Sequence, residues 1–180
     1  MVYELTTERL ELRPLTFDEV DEFHGICAGE KFRRYMFDNE AIALEVAASF
    51  IAKSNNYFAR SGYGLWGVRE RGKTLLIGFC GFWFFHEPPE LELLYGIAEA
   101  YWGMGFAVEA AEAIMQYGFE TLGFDRIQAS TDTPNLASLR VMQKLGMKFS
   151  QRQTLSGLDT TFYTITREEF ASTTRKDANL

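Results

Sequence analysis

The sequence predicts a mixed α/β (α+β) fold, and three features carry that prediction. The first half holds several strand-type runs separated by short turn signals, which reads as antiparallel pairing. A strand-type run at 90–97 then passes through "AEAYWGMG" into a helix rich in alanine and glutamate, and a further short strand follows, which reads as a βαβ unit. Two last strand-type runs flank Gly157 and read as a closing hairpin.

The elements follow in order. "ERLELRPL" (8–15) alternates and predicts a first strand. Thr16 has the character of a helix cap, with Glu19 three residues on completing a capping box. The helix that follows carries Phe17, Val20, Phe23 and Cys27 on one face, and a second helical stretch spans 41–60. "YGLWGVRE" (63–70) and "TLLIGFCGFWFF" (74–85) read as strands joined by "RGK", and "HEPP" ends the second. "ELELLYGI" (90–97) is a strand, and a long helix runs over 105–122 to Gly123. "RIQAST" (126–131) is a short strand, and a turn and helix run to Gly146. "KFSQRQTL" and "TTFYTI" form the hairpin. Residues 1–170 are expected to form a single domain, and 171–180 a loose polar tail.

Hydrophobic residues make up 47% of the 180, with 16 phenylalanines, enough for a sizeable core and too many for a disordered chain. No apolar run approaches a membrane span and no signal-peptide core opens the chain, so a cytoplasmic location and no membrane partner are expected. Cys27 and Cys80 sit far apart in apolar segments and read as buried thiols. His24 and His86 are isolated and lack ligand spacing, so no metal is expected. The net charge of −7 comes without a basic stripe, which argues against nucleic acid and favours a cationic substrate through steering.

Gly103 and Gly105 stand where a strand hands over to a helix. A helix start presents unpaired N–H groups and the positive end of the dipole, and glycine lets a ligand approach that backbone. Together these make an anion site, while a simple tight turn would place glycines there too. The first turn, "GFAV", holds no acid to compete with an anion. The third glycine of a dinucleotide fingerprint is missing, and so is the Gly-Lys-Ser/Thr of a P-loop.

"ELLYGIAEAYWGMGFAVEAA", followed by "YGFETLGFDRIQASTDTPNLASLRVMQKLGM", resembles the acetyl-CoA-binding core of the GNAT N-acetyltransferases. Together with "TTERLELRPLT" it is most similar to the branch that acetylates protein N-termini, the RimJ/RimL type. The resemblance spans roughly residues 6–170. It implies a mostly antiparallel central sheet with a splayed strand pair, flanked by helices. The family's pyrophosphate loop falls on Trp102, Gly103, Met104, Gly105, Phe106 and Ala107, with Trp102 replacing the usual Gln or Arg. Its second motif falls on Asn135, Ser138, Leu145, Gly146 and Met147, and implies that Asn135 bonds the cosubstrate near the pantetheine arm; a helix-cap role for Asn135 is compatible.

Acetyl transfer needs a neutral amine, N–H donors for the carbonyl oxygen and a protonated leaving thiol. The resemblance places the N–H donors on Leu94, Tyr95, Gly96 and Ile97. Glu92, a carboxylate in an apolar strand, is either the base or amine-orienting residue or half of a structural ion pair, and Glu90 reads as solvated. Many members carry a tyrosine where this chain has Met142, so Ser138, Tyr95, Tyr163 or water takes the acid role, or no acid is used. The implied function is transfer from acetyl-CoA to a primary amine, on a small molecule or a peptide N-terminus, by a monomer or homodimer. Acceptor determinants are expected within 30–61 and around Gly157. Two other readings stand beside it: a non-catalytic acyl-CoA sensor on the same fold, and a nucleotide-dependent oxidoreductase.

Overall fold

The computed structural model describes residues 3–37 and 39–177, with side chains described as far as Thr173. Strand β1 (Leu5–Thr6) pairs with β2 (Leu10–Pro14). A 3-10 turn at Phe17–Glu19 leads into α1 (Val20–Ala28), then α2 (Glu30–Met36) and α3 (Leu44–Ser61). Next come β3 (Leu65–Glu70), β4 (Gly78–Phe85), β5 (Glu90–Ile97), α4 (Phe106–Glu120), β6 (Arg126–Asp132) and α5 (Leu136–Lys144). The hairpin β7 (Lys148–Leu155) and β8 (Leu158–Thr166) precedes α6 (Arg167–Asp177).

The first five strands form an antiparallel sheet in chain order, and the last three form a second sheet in the order β6-β8-β7. Side chains on β3 and β4 alternate between two cores. Trp66 and Phe82 join Ile114, Met115 and Phe119 beneath α4, while Leu65, Phe79 and Trp83 join Phe23 and Ile51 beneath α1 and α3. Both faces are covered, which is why these strands read as continuous apolar runs.

The two sheets meet where β5 and β6 run side by side without a backbone ladder. Side chains bridge them at one end only: Gln128 Nε2 donates to Glu90 at 2.6 Å and to Glu92 at 3.1 Å, and Ser130 Oγ donates to Glu92 at 2.5 Å. These pairs advance together along both strands, so β5 and β6 are parallel. Beyond them the strands part, which is the splayed pair the sequence implied.

Three expectations need correction. Gly29 separates α1 from an additional short helix, α2, and the helix expected over 41–60 is α3. Phe17 is 56% exposed, because the 3-10 turn rotates it out of register with Phe23, Ile26 and Cys27. The tail expected to be loose is helical through Asp177, anchored by Phe170 against Phe119; residues 178–180 lie outside the described residues. Among the described residues no helix is long and apolar enough to cross a membrane.

Candidate active site

The parting of β5 and β6 opens a cavity of about 840 Å³, walled by both strands, α2, the start of α4 and α5. Because β5 is the edge of its sheet, its N–H groups on the cavity side have no ladder partner. Leu94, Tyr95, Gly96 and Ile97 all line the cavity, as the sequence reading placed them. Gly96 has a packing reason besides: a Cβ there would stand 2.5 Å from the Phe32 ring, so its absence lets α2 close against the strand.

The loop before α4 explains its two glycines. Gly103 and Gly105 adopt φ of 78° and 83°, the left-handed region that costs any residue with a Cβ about 1–2 kcal/mol. A Cβ on Gly103 would meet nothing within 4 Å, so the backbone is bare toward the cavity. Trp102, Gly103, Gly105, Phe106 and Ala107 line the cavity. Met104 does not; its side chain is half exposed and its carbonyl accepts from Arg9 Nη1 at 2.9 Å. Trp102 Nε1 donates to the Ile97 carbonyl at 2.6 Å, tying the loop to the end of β5.

The first turn of α4 does include an acid, Glu109, contrary to the reading of "GFAV" alone. Burial would raise its pKa, but the Thr7 hydroxyl and Arg9 outweigh that and hold the carboxyl below its ordinary value. Its charge is thereby neutralised locally and does not oppose an anion at the helix start.

The cavity reverses the sign of the chain. Lys31, Arg34, Arg140 and Lys144 line it, and Asp132 is the one acid among its described lining residues. A diphosphate-bearing ligand of extended shape fits these cations, the bare loop and the volume.

Asn135 caps α5: Oδ1 accepts from Ser138 N at 3.2 Å and Nδ2 donates to Thr131 Oγ1 at 3.0 Å. It and Ser138 also face the cavity. Tyr95 hydrogen-bonds the Ser138 hydroxyl at 2.8 Å and the Ser138 carbonyl at 3.1 Å. Burial pushes the Tyr95 phenol well above its ordinary pKa, against a smaller opposing effect of the Ser138 bond, so it stays protonated. Met142 is buried in the core, and Tyr163 packs against Phe149 outside the described cavity wall.

Glu92 is 1% exposed and does not reach the cavity surface. Besides Gln128 and Ser130 it meets His86, whose Nε2 lies 3.1 Å from Oε1. His86, which sequence spacing dismissed, lines the cavity, whereas His24 is spent on the Ile42 carbonyl at 2.8 Å. Cys27 and Cys80 are free and buried; burial pushes the Cys27 thiol up to about 12 and Cys80 higher still, so neither is a nucleophile at neutral pH. Arg9 was also missed, since nothing local links it to a loop a hundred residues away. Arg140 and Lys144 were missed as well, although their spacing of four puts them on one helical face.

A family model described as Acetyltransferase (GNAT) domain matches residues 9–148. The chain belongs to the GNAT acetyltransferases. This acetyltransferase is 30% identical over 145 residues to the uncharacterized N-acetyltransferase YoaA of Bacillus subtilis, covering 80% of this chain and 82% of that one. A GNAT-family acetyltransferase from Bacillus anthracis superposes with a TM-score of 0.77 at 24% identity, over 92% of this chain and 99% of that one. RimL, a ribosomal alpha-N-protein acetyltransferase in complex with coenzyme A, superposes with a TM-score of 0.75 at 14% identity, over 90% and 96%. The chain is thus an acetyl-CoA-dependent acyltransferase, which displaces the sensor and oxidoreductase readings.

Proposed function

We propose that this acetyltransferase moves an acetyl group directly from acetyl-CoA to a primary amine, within the cleft between β5 and β6. The observation that carries the reading is the cationic wall of that cleft in an otherwise acidic chain, set against the bare backbone at Gly103 just before the helix start. Residues 102–107 hold the diphosphate on backbone N–H groups, and Lys31, Arg140 and Lys144 supply positive charge. Asn135 and Ser138 contact the pantetheine arm, and the free edge of β5 from Leu94 to Ile97 faces the thioester oxygen.

Tyr95, held protonated by burial and oriented by Ser138, gives the leaving thiolate its proton. Glu92 draws the amine's proton away through its hydrogen-bonded partners rather than by direct contact, because its carboxylate is sealed from the cleft. The acceptor is a protein N-terminus or a small-molecule amine. Resemblance of the sequence motifs to the RimJ/RimL type supports the former. A screen of acetyl-CoA with short peptides bearing free Ala or Ser N-termini, spermidine, amino acids and an aminoglycoside, read as CoA release, tests the reading; release that does not depend on the amine contradicts it.

A further inference from the structure

We propose that His86 is the residue that takes the proton from the acceptor amine, with buried Glu92 holding its ring; this rests on the transferase reading above. Glu92 is enclosed, at 1% exposure, by donors from β6 and from the turn between β4 and β5. Any proton it receives must come through one of them. Gln128 is an amide and cannot relay a proton under ordinary conditions; Ser130 also lines the cavity and donates to Glu92 Oε2 at 2.5 Å, but its hydroxyl oxygen is too weakly basic to hold a proton taken from an ammonium. That leaves His86, whose side chain is 22% exposed and lines the cavity.

The hydrogen bonds also fix the ring's tautomer. His86 Nε2 lies 3.1 Å from Glu92 Oε1 and 3.2 Å from Ser130 Oγ. Since the Ser130 proton points at Glu92, Nε2 must carry a hydrogen to face both oxygens. The neutral ring therefore has its lone pair on Nδ1, the atom with which it accepts a proton. The ring is wedged between Phe85 and Phe162, with centroids 6.1 and 5.3 Å away, and its backbone holds φ at 66°, an uncommon conformation for a residue other than glycine.

The proton balance follows. The ammonium form of the acceptor gives one proton to Nδ1, and the imidazolium formed is stabilised by the Glu92 carboxylate. The neutral nitrogen forms the C–N bond to the acetyl carbon, the C–S bond breaks, and its electron pair leaves on sulfur. The second nitrogen proton ends on the CoA thiol, with Tyr95 as the intermediary. His86 returns its proton to solvent at the cavity. The charged groups around the ring are Glu92 on β5, Glu90 behind Gln128 on β6, the adjacent Glu87, and Asp132 on the cavity wall; Ser130 and Phe162 are its neutral contacts from β6 and β8.

The test uses the wild-type enzyme, His86→Gln, His86→Asn and Glu92→Gln, with whichever amine of the panel above is turned over. Both His86 variants are expected to lose about 10²–10⁴-fold in kcat at neutral pH, the usual worth of a positioned base. They are expected to keep acetyl-CoA affinity and melting temperature, and to recover as rising pH neutralises the amine. Glu92→Gln removes the carboxylate that holds the ring, and is expected to lower kcat by less than the His86 variants do, with acetyl-CoA affinity unchanged. Nitrogen NMR of the wild-type ring, assigned with a His24→Gln variant, is expected to show Nε2 protonated and Nδ1 free. A few-fold effect of His86→Gln beside a full loss in Glu92→Gln overturns the proposal, and so does a ring protonated at Nδ1. A wild-type enzyme that turns over no amine overturns the transferase reading and the proposal together, which is a different outcome from an active enzyme indifferent to His86.

Discussion

Arg9 Nε lies 2.6 Å from Glu109 Oε2, joining residues a hundred apart in the chain. The same guanidinium donates to the Met104 carbonyl and lies 4.7 Å over the Phe106 ring. One arginine on the turn before β2 therefore braces both the pyrophosphate loop and the first turn of α4, and offsets the only acid in that turn.

Replacing Arg9 with alanine is expected to free the loop and leave Glu109 facing the diphosphate. Acetyl-CoA affinity should fall roughly 3- to 10-fold, the modest range suited to a partly exposed ion pair. Arg9→Ala/Glu109→Gln should regain part of that loss, because the repelling charge is gone. Calorimetric titration of the single and double variants checks this.

The Glu109 carboxyl is held below its ordinary value of 4.5 in the folded protein. A depressed carboxyl contributes its full stabilisation above the ordinary value and loses it as pH falls through the lowered one. Loop order should therefore weaken only at acid pH, below that ordinary value. Thermal unfolding of wild type and Glu109→Gln across acid pH should converge as the carboxyl protonates.

Much of the fold was legible because the relevant signals are local. The strand at Glu90–Ile97 matches the apolar run residue for residue, and Ser156 and Gly157, with φ of 49° and 85°, make the two-residue hairpin turn that Gly157 announced. Gly103 and Gly105 were legible because only glycine takes that backbone cheaply. The proton-handling residues were not. Ser130 meets Glu92 from 38 residues away and meets His86 from 44 away, and no periodicity encodes that meeting. Phe17 misled because a 3-10 turn and an α-helix share the same capping signal at Thr16, whose N–H donates to Glu19 at 2.9 Å, yet rotate their side chains differently.

Tyr95→Phe keeps the ring in its packing and removes the hydroxyl. The expected result is a loss of about 10-fold or more in kcat with acetyl-CoA affinity unchanged, as for a lost general acid. Since burial raises this phenol above its ordinary value of 10.0, the wild-type pH–rate profile should show no basic limb from it below that pH. A basic limb that Tyr95→Phe abolishes near neutrality contradicts the assignment.

Arg69 is fully buried on β3 and paired with Glu19, far from the cleft chemistry. Glu19→Gln strands that buried guanidinium and should destabilise the protein by about 3–5 kcal/mol. Lys73→Ala, which breaks an exposed pair with Glu70, should shift the melting temperature little. Denaturant unfolding of the two variants side by side checks the contrast.

The most direct test of the account is CoA release from acetyl-CoA across the amine panel by wild type and by Gly105→Glu, with acetyl-CoA affinity measured on both. Gly105 is left-handed at φ 83° and sits at the start of α4, and a Cβ there would stand 3.3 Å from Arg9 Nη2, so the substitution strains the helix start, displaces the arginine that braces the loop and brings a negative charge beside the diphosphate site. The account predicts amine-dependent release by wild type, and a folded Gly105→Glu variant that neither binds acetyl-CoA nor releases CoA. Amine-dependent release and full acetyl-CoA affinity in a folded Gly105→Glu variant would contradict it.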